Sequence, residues 1–171
     1  KQLRLREYTE LLEEVHALTA LVSSERWELA CNAVGLIEFR PGERVLHQGK
    51  IREARQWYII FSGTAVMSQE RVNEHGERRL VQLGEIRRGT HFGERSLLRK
   101  EPAAVINVDA GPSGMCCLVF DFEVTRVLLE RIFLDADGLV PSLYSSIDEW
   151  CQRKTAGWGR MPQSSRRSGV E

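Results

Sequence analysis

Glycine recurs through the middle of this chain, at positions 35, 42, 49, 63, 76, 84, 89 and 93. The stretches between leave little room for long helices. They hold short apolar or β-branched runs at 36–39, 45–47, 57–61, 64–67 and 80–83. Glycine enters left-handed backbone without steric cost, so short runs bounded by it describe strands joined by tight turns. Ser62-Gly63 reads as a break between two strands. Two further runs, 104–108 and 115–120, flank the turn sequence Ala110-Gly111-Pro112-Ser113-Gly114. The spacing predicts a mainly β domain, a small β-roll or jelly-roll barrel over residues 35–121.

Helical periodicity brackets that roll. Tyr8, Leu11, Leu12 and Val15 fall on one helix face. Ser23 and Ser24 are placed to cap a second helix with Trp27, Ala30, Cys31 and Val34 inward. After Asp121, the residues Phe122, Val124, Val127, Leu128 and Ile132 define an apolar face. Beyond Pro141, a stripe of Val140, Leu143, Tyr144, Ile147, Trp150 and Cys151 defines another. The expected organisation is therefore an N-terminal helical segment, 1–34, the roll, C-terminal helices, 122–152, and a linker or disordered tail, 153–171. The 35–121 roll is thus flanked by N- and C-terminal helices.

Charge and special residues narrow the function classes. The formal net charge is zero, which gives no bulk attraction to nucleic acid or membrane. The tail is locally basic, with Arg153, Lys154, Arg160, Arg166 and Arg167 against Glu171. No apolar run approaches the roughly 20 residues of a membrane span, and no secretory signal is visible. The expectation is a cytoplasmic excerpt of a longer protein with no nucleic-acid partner and no membrane span. Cys31, Cys116, Cys117 and Cys151 form no C-x-x-C pair, and His16, His47, His75 and His91 lack metal-ligand spacing. Reduced, mostly buried thiols and no metal are expected.

The stretch with most chemistry is His91-Phe92-Gly93-Glu94-Arg95-Ser96-Leu97-Leu98-Arg99-Lys100-Glu101-Pro102-Ala103-Ala104-Val105. It holds a glycine turn, one acid, a short helix-like apolar run, then a proline leading a strand. With helices before and after a glycine-punctuated roll, this order resembles the cyclic-nucleotide-binding domain, over residues 7 to 151. The basic residue after the acid, Glu94-Arg95, resembles the domains of cGMP-dependent protein kinases most.

The resemblance implies a phosphate-binding cassette over 92–105, in which Phe92, Gly93, Glu94, Arg95, Ser96 and Leu97 line the cup. Glu94 would accept from a ribose hydroxyl, and Tyr144 or Trp150 would serve as a lid. The same Glu94 also fits a plainer role, as a carboxylate capping the cassette and pairing with Arg95 or Arg99. In the family an arginine follows the proline and pairs with the phosphate, and cGMP-preferring members place a hydroxyl nearby. Here Ala103 and Ala104 stand at those places. A charge-assisted hydrogen bond contributes about 1.5–3 kcal/mol, so its loss weakens binding about tenfold to a hundredfold.

The expected function is a non-catalytic regulatory domain of a cGMP-dependent serine/threonine kinase. Its degenerate pocket would bind cGMP weakly or not at all, and it would relay between neighbouring cyclic-nucleotide-binding domains and a kinase catalytic domain in the same parent chain. The alternative is a working receptor for cGMP or a nucleoside, using Arg99 or Lys100 as the cation. A cupin enzyme lacks its His and Glu ligands here. A transcription factor carrying the same roll would need a helix-turn-helix that the tail cannot form.

Overall fold

The computed structural model describes residues 2–134. The order is α1 (Gln2–Glu14), a 3-10 turn (His16–Leu18), α2 (Ser23–Cys31), then β1 (Gly35–Phe39), β2 (Arg44–Leu46), β3 (Gln56–Val72), β4 (Arg78–Arg87) and β5 (His91–Phe92). The short helix α3 (Glu94–Leu98), β6 (Asn107–Asp121) and α4 (Phe122–Phe133) follow. The strands form one sheet in the order β1-β6-β3-β4, with β2 paired to β6 and β5 to β3. Every one of these pairings is antiparallel. The architecture is the mainly β roll with flanking helices that the glycine spacing predicts.

Two strands are longer than the sequence breaks imply. β3 runs through Ser62-Gly63 as one strand, with register shifts against β6 on either side of that dipeptide. Gly63 sits at φ 79°, and a Cβ there would lie 2.3 Å from the Gly114 carbonyl oxygen. It is a bulge that lets two strands touch, not an end. β6 likewise carries Gly111-Pro112-Ser113-Gly114 inside a continuous strand. Ala104, expected to begin the strand before it, stands in an isolated bridge instead, as does its neighbour Ala103.

β3 and β6 are buried on both faces, which explains their unbroken apolar runs. Trp57, Ile59, Leu118 and Phe120 point to the helices, where they pack with Leu11, Leu12, Leu29, Phe122, Leu129 and Phe133. Their neighbours Tyr58, Ile60, Cys117 and Val119 fill the roll with Leu46, Val81, Leu83, Phe92 and Val108. Trp57 stacks on Phe120 at 4.5 Å. Its indole N–H donates to Thr125 Oγ1 of α4 at 2.9 Å. Each large apolar side chain buried this way contributes roughly 1.5–3 kcal/mol, and the indole bond fixes α4 against the sheet.

The helix faces differ from the periodic reading. α2 buries Leu29 and Ala30, whereas Trp27 is 45% and Val34 55% exposed, and Cys31 is an exposed thiol. Its N-cap is Val22, whose backbone N–H donates to Glu25 Oε1 at 3.0 Å. Ser23 and Ser24 lie inside the first turn. α4 buries Phe122, Thr125, Leu129 and Phe133, and leaves Val124 and Val127 outward. Counting apolar residues put valines on the inner face. The polar Thr125 takes that place because the Trp57 indole needs an acceptor. Among the described residues, no helix is long and apolar enough to cross a membrane.

Candidate functional site

The short strand β5 sets the cassette. Phe92 pairs with Tyr58 of β3 and stacks on its ring at 4.9 Å. The chain then turns through Gly93 at φ 96° and enters α3. A Cβ on Gly93 would come within 3.1 Å of the Tyr58 ring and 3.3 Å of Arg52 Nη2. Glycine is therefore required twice over, by its backbone angle and by its neighbours. α3 buries Glu94, Ser96, Leu97 and Leu98. The Glu101 N–H then bonds the Ser96 carbonyl at 2.8 Å, which closes the helix and leads the chain into Pro102.

Glu94 is 2% exposed. Its Oε2 lies 2.8 Å from Nδ1 of His91, three residues earlier. Burial works against a charged imidazole, but the Glu94 charge and hydrogen bond outweigh it and hold the His91 pKa above its ordinary value. The imidazole also lies 5.2 Å from the Phe133 ring. The pair therefore joins the cassette to the end of α4. The sequence shows only that His91 lacks metal-ligand spacing; its link to Glu94 went unread, although the i,i+3 spacing was a usable signal.

Ala103 and Ala104 lie beside the β2–β3 loop: Ala103 bridges Ile51 and Ala104 bridges Gln48. The Gly49 N–H donates to the Ala104 carbonyl at 2.9 Å. Arg52, the residue after Ile51, projects from this loop into the cassette. Its Nη1 donates to the Gly93 carbonyl and, at 3.3 Å, to Ser96 Oγ. Its Nη2 donates to the Gln56 carbonyl. Burial pulls the guanidinium below its ordinary pKa, opposed by the Tyr58 hydroxyl and by the Glu94 carboxylate acting through space. Burial raises the Tyr58 phenol, with Arg52 opposing.

Of the residues singled out in the cassette, Phe92 and Ala104 pack in the core of the roll, whereas Leu97 packs on the helix side of the sheet. Arg95 is half-buried on α3. Arg99 and Lys100, the cations the alternative reading would use, are exposed beyond the helix, with Lys100 at φ 58°. A cation that reaches the cassette from outside it is Arg52, 41 positions before Gly93. Sequence reasoning missed it, because no spacing links the β2–β3 loop to the cassette until the Ile51–Ala103 bridge forms. Tyr144 and Trp150 lie outside the described residues, so no lid is described.

The family model for the cyclic nucleotide-binding domain matches residues 36–130. The cAMP-dependent protein kinase regulatory subunit of Mucor circinelloides f. lusitanicus is 36% identical over 106 residues, covering 62% of this chain and 23% of that protein. The chain therefore spans less than a quarter of that relative's length. The regulatory domain of Toxoplasma gondii PKA with cAMP shares the fold at a TM-score of 0.65 and 20% identity, covering 91% of this chain and 51% of that one. A regulatory subunit of a cAMP-independent protein kinase A from Trypanosoma cruzi, bound to guanosine, shares it at 0.68 and 23%, covering 92% and 51%. The Glu94-Arg95 pair had pointed to cGMP-dependent kinases. The curated relatives from Mucor circinelloides and Debaryomyces hansenii are instead cAMP-dependent protein kinase regulatory subunits.

Proposed function

Because this chain belongs to the cyclic nucleotide-binding domain family, we propose that it is a ligand-receiving regulatory domain of a protein kinase A-type regulatory subunit. It does no chemistry itself. Occupancy of the cassette would be passed through α4 to the segments beyond it, and from there to a catalytic kinase subunit. The observation that carries this reading is the buried Glu94–His91 pair at 2.8 Å inside a folded cassette. Removing a carboxylate from water costs several kcal/mol before its partners repay it. The pair keeps a carboxylate at the turn into α3, the place where the family resemblance expects the ribose acceptor.

The ligand is a nucleotide or nucleoside whose ribose reaches Glu94. Ala104 offers no hydroxyl to a guanine, which supports cAMP over cGMP. Calorimetric titration of the chain with cAMP, cGMP and guanosine tests the reading. Saturable binding of at least one, lost in Glu94→Gln, is expected. No binding of any of them refutes it.

A second reading is favoured by Ala103: a degenerate domain that binds nothing and acts as a structural relay. The same titration decides between the two.

A further inference from the structure

We infer that Arg52, from the β2–β3 loop, is the residue that pairs with an anionic group of the ligand, a nucleotide phosphate in class, in place of the cation missing at position 103. The inference rests on the receptor reading and adds to it the residue that decides charge preference.

Placement comes first. The Ile51–Ala103 bridge sets Arg52 one residue along from the strand neighbour of Ala103. The Arg52 backbone therefore passes close to Ala103, and its side chain runs to Gly93 and Ser96.

The partners come second. Gly93 O, Ser96 Oγ and Gln56 O are all neutral, as is the Tyr58 hydroxyl, which lowers the cost of burying the charge. Glu94, the nearest acid to enter its electrostatics, acts through space while its Oε2 bonds His91. A half-buried guanidinium satisfied only by dipoles carries positive charge that is not matched at contact distance. Nη1 and Nη2 already donate within the protein, so a phosphate oxygen would displace the longest of these contacts, Ser96 Oγ at 3.3 Å, because a charge-assisted bond is the stronger one. The contacts to two carbonyls hold the guanidinium fork in one orientation before any ligand arrives, which removes an ordering cost from binding. Gly93, whose Cβ would stand 3.3 Å from Nη2, keeps that approach open.

The candidates expected from the sequence do not compete well. Arg99 and Lys100 are exposed past the end of α3, where a phosphate contact would be made in water and would be weak.

The test compares charged and uncharged probes on the 171-residue chain. Affinities for cAMP, cGMP, adenosine and guanosine are measured for wild type, Arg52→Gln, Arg52→Lys, and Arg52→Gln combined with Ala103→Arg. Arg52→Gln is expected to weaken the cyclic nucleotides about tenfold to a hundredfold, the loss of one charge-assisted contact, and to change the nucleosides less than about threefold. Ala103→Arg in that background should restore most of the nucleotide affinity. If Arg52→Gln does not fold, as read by a thermal melt, Arg52→Lys decides: nucleotides should weaken selectively as the fork is lost. Equal losses for nucleotides and nucleosides, or unchanged nucleotide affinity, would overturn the role of Arg52 and leave the receptor reading standing. A wild type that binds nucleosides but neither cyclic nucleotide would do the same. A wild type that binds no probe overturns both.

Discussion

His91→Phe is the perturbation that most directly probes the cassette. Phenylalanine keeps a planar ring against Phe133 but removes the nitrogen 2.8 Å from Glu94 Oε2. The side chains are 13% and 2% exposed, so solvent replaces little of the lost bond. A hydrogen bond to a charged group contributes about 1.5–3 kcal/mol. Removing one partner of a buried ion pair costs up to roughly 3–5 kcal/mol. A loss of about 2–4 kcal/mol, between those two figures, is expected at pH 6, read from urea unfolding.

The pH dependence has a definite sign. His91 titrates above the ordinary histidine value of about 6.5 in the folded chain. Its charged form is therefore favoured by folding. That stabilisation is fully present below about pH 6.5 and fades as pH rises through the higher folded value. The gap between wild type and His91→Phe should be widest in mild acid and narrow in alkali. The double variant His91→Phe with Glu94→Gln should recover part of the loss, because the buried carboxylate goes with its partner. A gap below about 1 kcal/mol, or one that widens with rising pH, would refute the argument.

Three further outcomes follow from the fold. Thr125→Val should cost about 1–3 kcal/mol in chemical denaturation, because the buried Trp57 indole N–H loses its acceptor; Thr125→Ser should recover most of it. Gly63→Ala should lower the melting temperature by several degrees, since its Cβ would meet the Gly114 carbonyl at 2.3 Å and φ is 79°; an unchanged melt would mean the β3–β6 contact can open. Arg88→Ala removes the bidentate pair to Glu14 that links α1 to the end of β4. Both side chains are about half exposed, so a denaturation measurement should show under about 1 kcal/mol.

The roll was legible because its signal is local. Glycines at strand ends and apolar runs of four or five residues are read without knowing what pairs with what. Helix faces were less legible. On α4, periodicity selected Val124 and Val127, which are 61% and 78% exposed. It passed over Thr125, whose inward position depends on a tryptophan 68 residues away. Strand ends failed for a related reason. Gly63 and Gly114 carry turn chemistry, yet each lies inside a strand because the two approach each other across the sheet.

The cassette shows the same division within one site. Gly93 and the short α3 follow from contiguous sequence, so the local backbone of the cassette could be read residue by residue. Its charge could not. Reading along the stretch finds Ala103 and concludes that the cation is gone, or looks to Arg99 and Lys100 because they are near in sequence. Charge in a cup depends on distance in space, and the Ile51–Ala103 bridge brings in a residue from a different loop. A substitution at one strand of a bridged pair therefore says little until the other strand is examined. Arg52 is bonded to the Gly93 and Gln56 carbonyls; if Arg52→Gln weakens nucleotides but not nucleosides, the alanine at 103 marks a change in which strand supplies the charge, and if it does not, the alanine marks a loss.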